Sequence, residues 1–376
     1  MSKAVLLAMG GLLLLACGGE EPGAPEAPGD QTTAQAASSP TPQPTPTPVP
    51  TPTATQHAVT SPIPPAVRLP QDDSPHPWAN TEWWYYNGSL RTADGRDYGF
   101  HYVIFKIDVP FLPNTNIAHL SITDHQTSDY LTDQRQQLSE SPLKDDSGFS
   151  FTIDGWTMAG FDGRDHLSAS IGDYAFDLSL NSKKPPVLHG GTGLIGFGPA
   201  GNSYYYSRTR LAISGILSVK GQEAPATGFA WFDRQWGNFT VVALGWDWFS
   251  LRFDDGSELM LYQLKDEDQR TIQYYGTYIA RTGQQETLAD SDVTVKSTGT
   301  WTSPASGAEY PMGWTLKVPS RSIDIALTPV IKEAEFDATS TTGNYYWEGE
   351  VKIGGSHTGQ GYVELVGYVP PDLPSE

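Results

Sequence analysis

One stretch of this chain is written twice. WYYNGSLRTADGRD (84–97) lies without a gap on GWDWFSLRFDDGSE (245–258), at a constant offset of 161. Ser89-Leu90-Arg91 falls on Ser250-Leu251-Arg252, Asp94-Gly95 on Asp255-Gly256, and Tyr85 and Asn87 on Trp246 and Trp248. Aromatic and β-branched residues on both sides of an Asp-Gly turn are a strong hairpin signal, so each copy predicts a hairpin that opens a β-domain. Later landmarks recur in the same order. Trp156-Thr157 is answered by Trp301-Thr302, and YAFDLSL (174–180) by SIDIALT (322–328). The clusters Tyr204-Tyr205-Tyr206 and Tyr345-Tyr346-Trp347 each precede a strand, a Gly-containing turn and a return strand. Two duplicated domains follow, at 66–240 and 241–376, each with eight to ten short strands in a sandwich or barrel.

Composition supports this reading. The 38 Gly and 30 Pro suit short strands and turns, and no long amphipathic helical pattern is visible. A net charge of -20 argues against nucleic acid or anionic lipid as a partner surface.

The first 65 residues stand apart from the fold. Lys3 precedes an apolar run from Ala4 to Ala16 that reads as a signal peptide (1–16), too short for a stable transmembrane anchor. The run ends at Cys17, the chain's only cysteine, in Leu14-Leu15-Ala16-Cys17, which resembles a bacterial lipobox. Lipidation of Cys17 would give a membrane-anchored, extracytoplasmic lipoprotein, at the outer membrane or outer cell surface. Residues 17–65 continue as a Pro/Thr-rich linker, including TPQPTPTPVPTPTATQ. Such a segment cannot bury enough apolar surface to order itself, and proline gives it a reach on the order of 140 Å.

NTEWWYYNG, SYYYS…GFAWFDRQWG, GWDWFSLRFDDGSELMLYQL and YYWEG…GYVELVGY together resemble the AttH / carotenoid 1,2-hydratase (hydroxyneurosporene synthase) family. The resemblance covers nearly everything after the linker. It implies an all-β fold of two tandem lipocalin-like antiparallel β-barrels. It also implies a hydrophobic ligand of carotenoid, terpenoid or lipid-like character, and for some members acid-catalysed hydration of a C=C bond. AttH-type members are often associated with ABC-type export systems.

Hydrating an isolated double bond needs a proton donor in an apolar cavity, with aromatic faces to stabilise the carbocation. Asp233 is the leading candidate acid. On a strand, Trp231, Asp233 and Gln235 share one face, while Phe232, Arg234 and Trp236 share the other. The neighbouring Arg234 would tend to hold Asp233 ionised. Glu82, directly before Trp83-Trp84, is the second candidate acid, and matches the family motif. Glu348 and Glu364 also sit among aromatics, facing either a barrel interior or solvent. His76, Trp83, Trp84, Tyr86, Tyr205, Trp231 and Trp236 complete the expected ligand wall, with Glu82, Trp84 and Trp236 facing a buried void. Because His76, Glu82 and Trp83-Trp84 have no counterpart in the second copy, the functional weight falls on them. No cofactor is implied and no His pair has zinc spacing. Gly191-x-Gly193-x-x-Gly196 opens no helix and is read as part of a lid-like loop over 186–202.

Three functions therefore stand open: a lipid-anchored binding protein for a hydrophobic small molecule, a hydratase using Asp233 or Glu82, and an accessory subunit of an ABC-type transporter.

Overall fold

The computed structural model describes residues 67–107, 114–138, 147–197, 200–239, 245–266 and 268–369. Cys17, the signal peptide and the linker lie outside the described residues.

The long strands form two antiparallel sheets. The first holds β1 (Thr81–Thr92), β2 (Asp97–Ile107), β3 (Thr115–Asp124), β4 (Asp129–Leu138), β5 (Phe149–Ile153) and β6 (Trp156–Phe161). It continues through β7 (Arg164–Ile171), β8 (Tyr174–Ser182), β9 (Val187–Leu188), β10 (Leu194–Gly196), β11 (Asn202–Val219) and β12 (Gln222–Gly237). The second holds β13 (Gly245–Phe253), β14 (Glu258–Lys265), β15 (Thr271–Ile279), β16 (Gln285–Leu288) and β17 (Thr294–Ser297). After a separate hairpin, β18 (Thr300–Thr302) and β19 (Glu309–Pro311), come β20 (Trp314–Val318), β21 (Ile323–Pro329), β22 (Glu335–Asp337), β23 (Tyr345–Gly355) and β24 (Gly359–Val366).

The order β4-β3-β2-β1-β12-β11-β8-β7-β6-β5 is repeated as β16-β15-β14-β13-β24-β23-β21-β20-β17. In both sheets the opening strand pairs with the closing one, and the sheet curls into a barrel around its own core. The duplicated hairpins match in register: Leu90 faces Tyr98 in one and Leu251 faces Leu259 in the other. Gly95 and Gly256 take φ of 85° and 87°, the left-handed conformation their turns require. Tyr174–Ser182 and Ile323–Pro329 also hold equivalent places. Trp301 does not: Trp156 lies in β6 within the first core, whereas Trp301 lies on the separate β18–β19 hairpin. The strand count also exceeds eight to ten in each half, because two- and three-residue strands leave little trace in sequence.

Burial explains the two textures of the strand sequences. β8 alternates strictly, with Tyr174, Phe176, Leu178 and Leu180 inward and its other face toward solvent. β1 and β14 are buried on both faces, so they read as continuous apolar or mixed runs. What buries their outer faces is the other sheet. A shared cluster of Tyr85, Val103, Tyr205 and Trp231 from the first sheet and Trp248 and Tyr262 from the second joins the two. Asn87 Nδ2 donates to Ser250 Oγ at 3.0 Å, Ser89 Oγ donates to Glu350 Oε1 at 2.6 Å, and Tyr362 Oη donates to the Gly88 carbonyl at 3.2 Å. At Gly99 the sheets lie so close that a Cβ would meet Tyr362 Oη at 2.5 Å and Glu350 Oε2 at 2.8 Å.

Candidate active site between the sheets

Alternation along β1 decides which side chains reach the junction. Trp84, Tyr86 and Leu90 point into the first barrel, while Trp83, Tyr85, Asn87 and Ser89 point toward the second sheet. The first barrel's interior is filled by its own side chains: Trp84 packs on Phe151 at 4.7 Å between ring centroids and Tyr86 on Phe232 at 4.6 Å. The cavity of about 300 Å³ opens between the sheets. Its aromatic wall includes Trp83, Tyr85 and Phe105 from one side and Trp246, Trp248 and Tyr262 from the other.

Three carboxyls line this cavity: Asp233, Glu348 and Glu364. Asp233 sits directly across from Tyr85 on β1 and from Ser207 on β11. Its Oδ2 accepts from Tyr205 Oη at 2.6 Å, and Tyr205 in turn accepts from Trp248 Nε1 at 3.0 Å. Its Oδ1 accepts from Trp231 Nε1 at 2.6 Å and meets the Ser207 hydroxyl. Burial dominates over these three hydrogen bonds and pushes the Asp233 carboxyl up to about 7.

Glu348 and Glu364 face each other across β23 and β24, with Glu364 also opposite Trp248. Burial, then the neighbouring Glu364, raises Glu348 well above the ordinary carboxyl range. Burial raises Glu364 to about 7, against a hydrogen bond from Trp246. Glu348 is fully enclosed and accepts from Tyr85 Oη, with His101 Nδ1 3.5 Å away. Glu364 keeps part of its surface open, and that surface faces the cavity.

Of the residues singled out from sequence, Trp83, Asp233, Glu348 and Glu364 line the cavity. Tyr205 and Trp231 stand behind Asp233 as its hydrogen-bond donors. The others lie elsewhere: Glu82, Trp84 and Trp236 do not line this cavity and are enclosed by the described residues around them. Trp84, Tyr86 and Trp236 are core residues of the first barrel, because even-numbered positions of β1 and β12 face inward. His76 stacks on Trp236 at 4.3 Å, with the rings 4° from parallel. Glu82 is fully buried in an ion cluster with Arg234 and with Lys106 at 3.2 Å. Burial opposes its ionisation, but Arg234, His76 and Lys106 outweigh that and hold its carboxyl down at about 2. A carboxyl held down in this way is not poised to donate a proton at neutral pH. Arg234 likewise does not hold Asp233 ionised: it faces the other side of β12, stacked over Trp84 at 3.8 Å.

The expected lid-like loop is docked over its described residues 186–197. Leu188 exchanges backbone hydrogen bonds with the Gln285 amide, Tyr275 Oη donates to the Gly196 carbonyl, and His189 is fully buried. Sequence reasoning passed over Tyr85, Trp246, Trp248, Tyr262, Ser207 and His189. Tyr85, Trp246 and Trp248 stood in the repeated segment, where their recurrence read as architecture. It is architecture, but of the junction that forms the site.

A chain with this fold has solved counterparts. A crystal structure of an AttH protein from Nitrosomonas europaea superposes with a TM-score of 0.75 at 30% identity, covering 82% of this chain and 98% of that one. Kievitone hydratase from Nectria haematococca shares the fold, with a TM-score of 0.65 at 20% identity, over 82% of this chain and 94% of that chain. By sequence, the chain is 24% identical to kievitone hydratase of Fusarium solani subsp. phaseoli over 202 residues, 51% of this chain and 56% of the relative. It is 25% identical to the dehydratase asqC of Emericella nidulans over 162 residues, 41% of this chain and 46% of the relative. The chain thus spans about half the length of the curated relatives it matches. The AttH-like family model matches residues 60–368, and the chain belongs to that family.

Proposed function

We propose that the cavity between the sheets is an active site that adds water to a carbon–carbon double bond of a neutral, apolar compound, or forms that double bond by removing water from the matching alcohol. The observation that carries this reading is a buried carboxyl, Asp233, held near about 7 and lining a cavity walled by Trp and Tyr. A carboxyl poised there can give up a proton at neutral pH and take it back. In the hydration direction, Asp233 protonates the alkene carbon. The tertiary carbocation that forms lies among Trp83, Tyr85, Trp246 and Trp248, whose π faces favour positive charge. Water captures it and loses a proton to Glu364, the carboxyl of the pair that is ionised in part at neutral pH, while Glu348 keeps its proton against Tyr85. Among the described residues lining the cavity there is no Lys or Arg, which favours an uncharged substrate over a carboxylate or phosphate. The names hydratase and dehydratase borne by two relatives support the same pair of directions.

The test is a panel of neutral trisubstituted alkenes and their matching tertiary alcohols, followed by mass spectrometry. The expected outcome is gain of one water by an alkene, or its loss by an alcohol, with wild-type protein and not with Asp233→Asn. An Asp233→Asn protein that converts the same compound at the wild-type rate would overturn the assignment.

We further propose that the protein works outside the cytoplasm, tethered through lipid on Cys17. Support comes from the apolar run that ends at the chain's single cysteine. Cys17→Ser is expected to move the protein from the membrane to the soluble fraction; its retention in the membrane fraction would count against the anchor.

A further inference from the structure

Asp233 is asked to be an acid in hydration and a base in the reverse direction, in a place largely shielded from water, and its partners do not treat the two states alike. Trp231 Nε1–H can only donate, and it donates to Oδ1. Tyr205 receives the obligate donor Trp248 Nε1–H and turns its own hydroxyl hydrogen to Oδ2. Both arrangements favour the carboxylate. Ser207, directly opposite Asp233 in the β11–β12 register, is the third partner, and a hydroxyl can reverse. It can accept from a protonated Asp233 only if its own hydrogen has somewhere to go.

His189 supplies that place. Its Nε2 lies 2.6 Å from Ser207 Oγ, and its Nδ1 lies 2.9 Å from Thr277 Oγ1 on β15 of the second sheet. Ser207 and His189 are fully buried and Thr277 is 2% exposed. Burial pushes the imidazole down to about 3, so the ring is neutral and carries a single proton on one nitrogen. The titratable groups around the pair are Tyr205, whose ring centroid lies 4.0 Å from that of His189, and Glu364 and Tyr262, which interact electrostatically with Asp233.

We propose that Ser207 and His189 are positioning residues for Asp233, forming a reversible hydrogen-bond chain in which the neutral imidazole changes tautomer as Asp233 gains or loses its proton. The proposal rests on the reading of Asp233 as the acid. With Asp233 ionised, Ser207 donates to Oδ1, His189 Nε2–H donates to Ser207, and Thr277 donates to Nδ1. With Asp233 protonated, every arrow reverses: Asp233 donates to Ser207, Ser207 to Nε2, and Nδ1–H to Thr277. The second form holds one more proton, the one on Asp233, and His189 is neutral in both. The chain lets the same carboxyl be well hydrogen-bonded before and after it gives up its proton, and it ties that chemistry to a residue of the opposite sheet.

Nitrogen-15 NMR of the imidazole reads this directly, without a substrate, because protonated and bare ring nitrogens resonate far apart. In the full-length protein, the His189 Nδ1 and Nε2 signals are expected to exchange places as pH crosses about 7, with the midpoint of the Asp233 titration. In Asp233→Asn the tautomer is expected to be independent of pH. In Ser207→Ala it is expected to be fixed while Asp233 still titrates. A His189 that keeps one tautomer while wild-type Asp233 titrates, as a purely structural histidine would, overturns the chain and leaves Asp233 as the acid. A His189 that becomes doubly protonated over that range also overturns it. Absence of any Asp233 titration near about 7 would instead fail the underlying reading of the site.

Discussion

Asp233→Asn is expected to abolish water addition and elimination and, at the same time, to stabilise the protein at alkaline pH. The first effect follows from removing the proton donor, a loss of about 10²–10⁴-fold. The second follows from the direction of the carboxyl's shift. In the unfolded chain this group ionises near 3.8, whereas in the folded protein it holds its proton to about 7. Between those values the native state binds more protons, so its stability falls as pH rises through the window and stays low above it. The shift to about 7 is already net of the three donors, so the gain on substitution is on the order of 4 kcal/mol at most above the window and close to zero below it. Urea unfolding at both ends of the window checks this. Equal stabilisation at both ends would show that Asp233 ionises at an ordinary value.

Glu82→Ala is expected to do the reverse: a large loss of stability through a residue remote from the chemistry. Glu82 holds together three groups on different segments. Arg234 Nη2 bonds it and also donates to the Ser74 carbonyl at 2.8 Å, Lys106 Nζ reaches it and the His76 carbonyl, and the His76 amide donates to it at 2.8 Å. The segment pinned in this way is tied to the first barrel: the Asp73 carboxylate accepts from Arg208 at 3.1 Å and the Asp73 carbonyl from Trp84 Nε1 at 3.0 Å. Truncating Glu82 leaves buried Arg234 and Lys106 without their anion, at a cost of roughly 3–5 kcal/mol. A drop in the urea midpoint with little change in its slope is the expected result. A variant as stable as wild type but inactive would instead return Glu82 to the chemistry.

The contrast between these carboxyls shows what was legible in the sequence. The repeat at constant offset announced two equivalent β-domains, and the alternation 231/233/235 against 232/234/236 placed Asp233 beside Trp231 and Arg234 beside Trp236. Those inferences needed only local period. The site needed the docking of one sheet on the other, which no period records. The same pleat that put Trp84, Tyr86 and Glu82 together as an aromatic-acid cluster also turned them into the first barrel, where their neighbours fill the space. Their odd-numbered neighbours Trp83 and Tyr85 faced outward, toward Trp246 and Trp248 of the second copy. Uniqueness to the first copy picked out Trp83, which lines the cavity, together with His76, Glu82 and Trp84, which do not. The position that is aromatic in both copies of the repeated segment, Tyr85 and Trp246, lies where the two sheets meet. His189 was hidden for a related reason: its Gly-rich surroundings suggested mobility, while its partners Ser207 and Thr277 lie 18 and 88 residues away.

Carbon-13 NMR titration of the aspartate side chains tests the account most directly. With aspartate labelled selectively, two buried carboxyls among the described residues are expected to titrate at about 7, Asp233 and the first-barrel Asp165. The Asp233 signal is identified by its disappearance in Asp233→Asn. A midpoint near about 7 is the predicted result, since it leaves a proton available to the cavity at neutral pH. A midpoint in the ordinary range near 3.8 would contradict it, because the cavity would then hold a fixed anion where its acid should be.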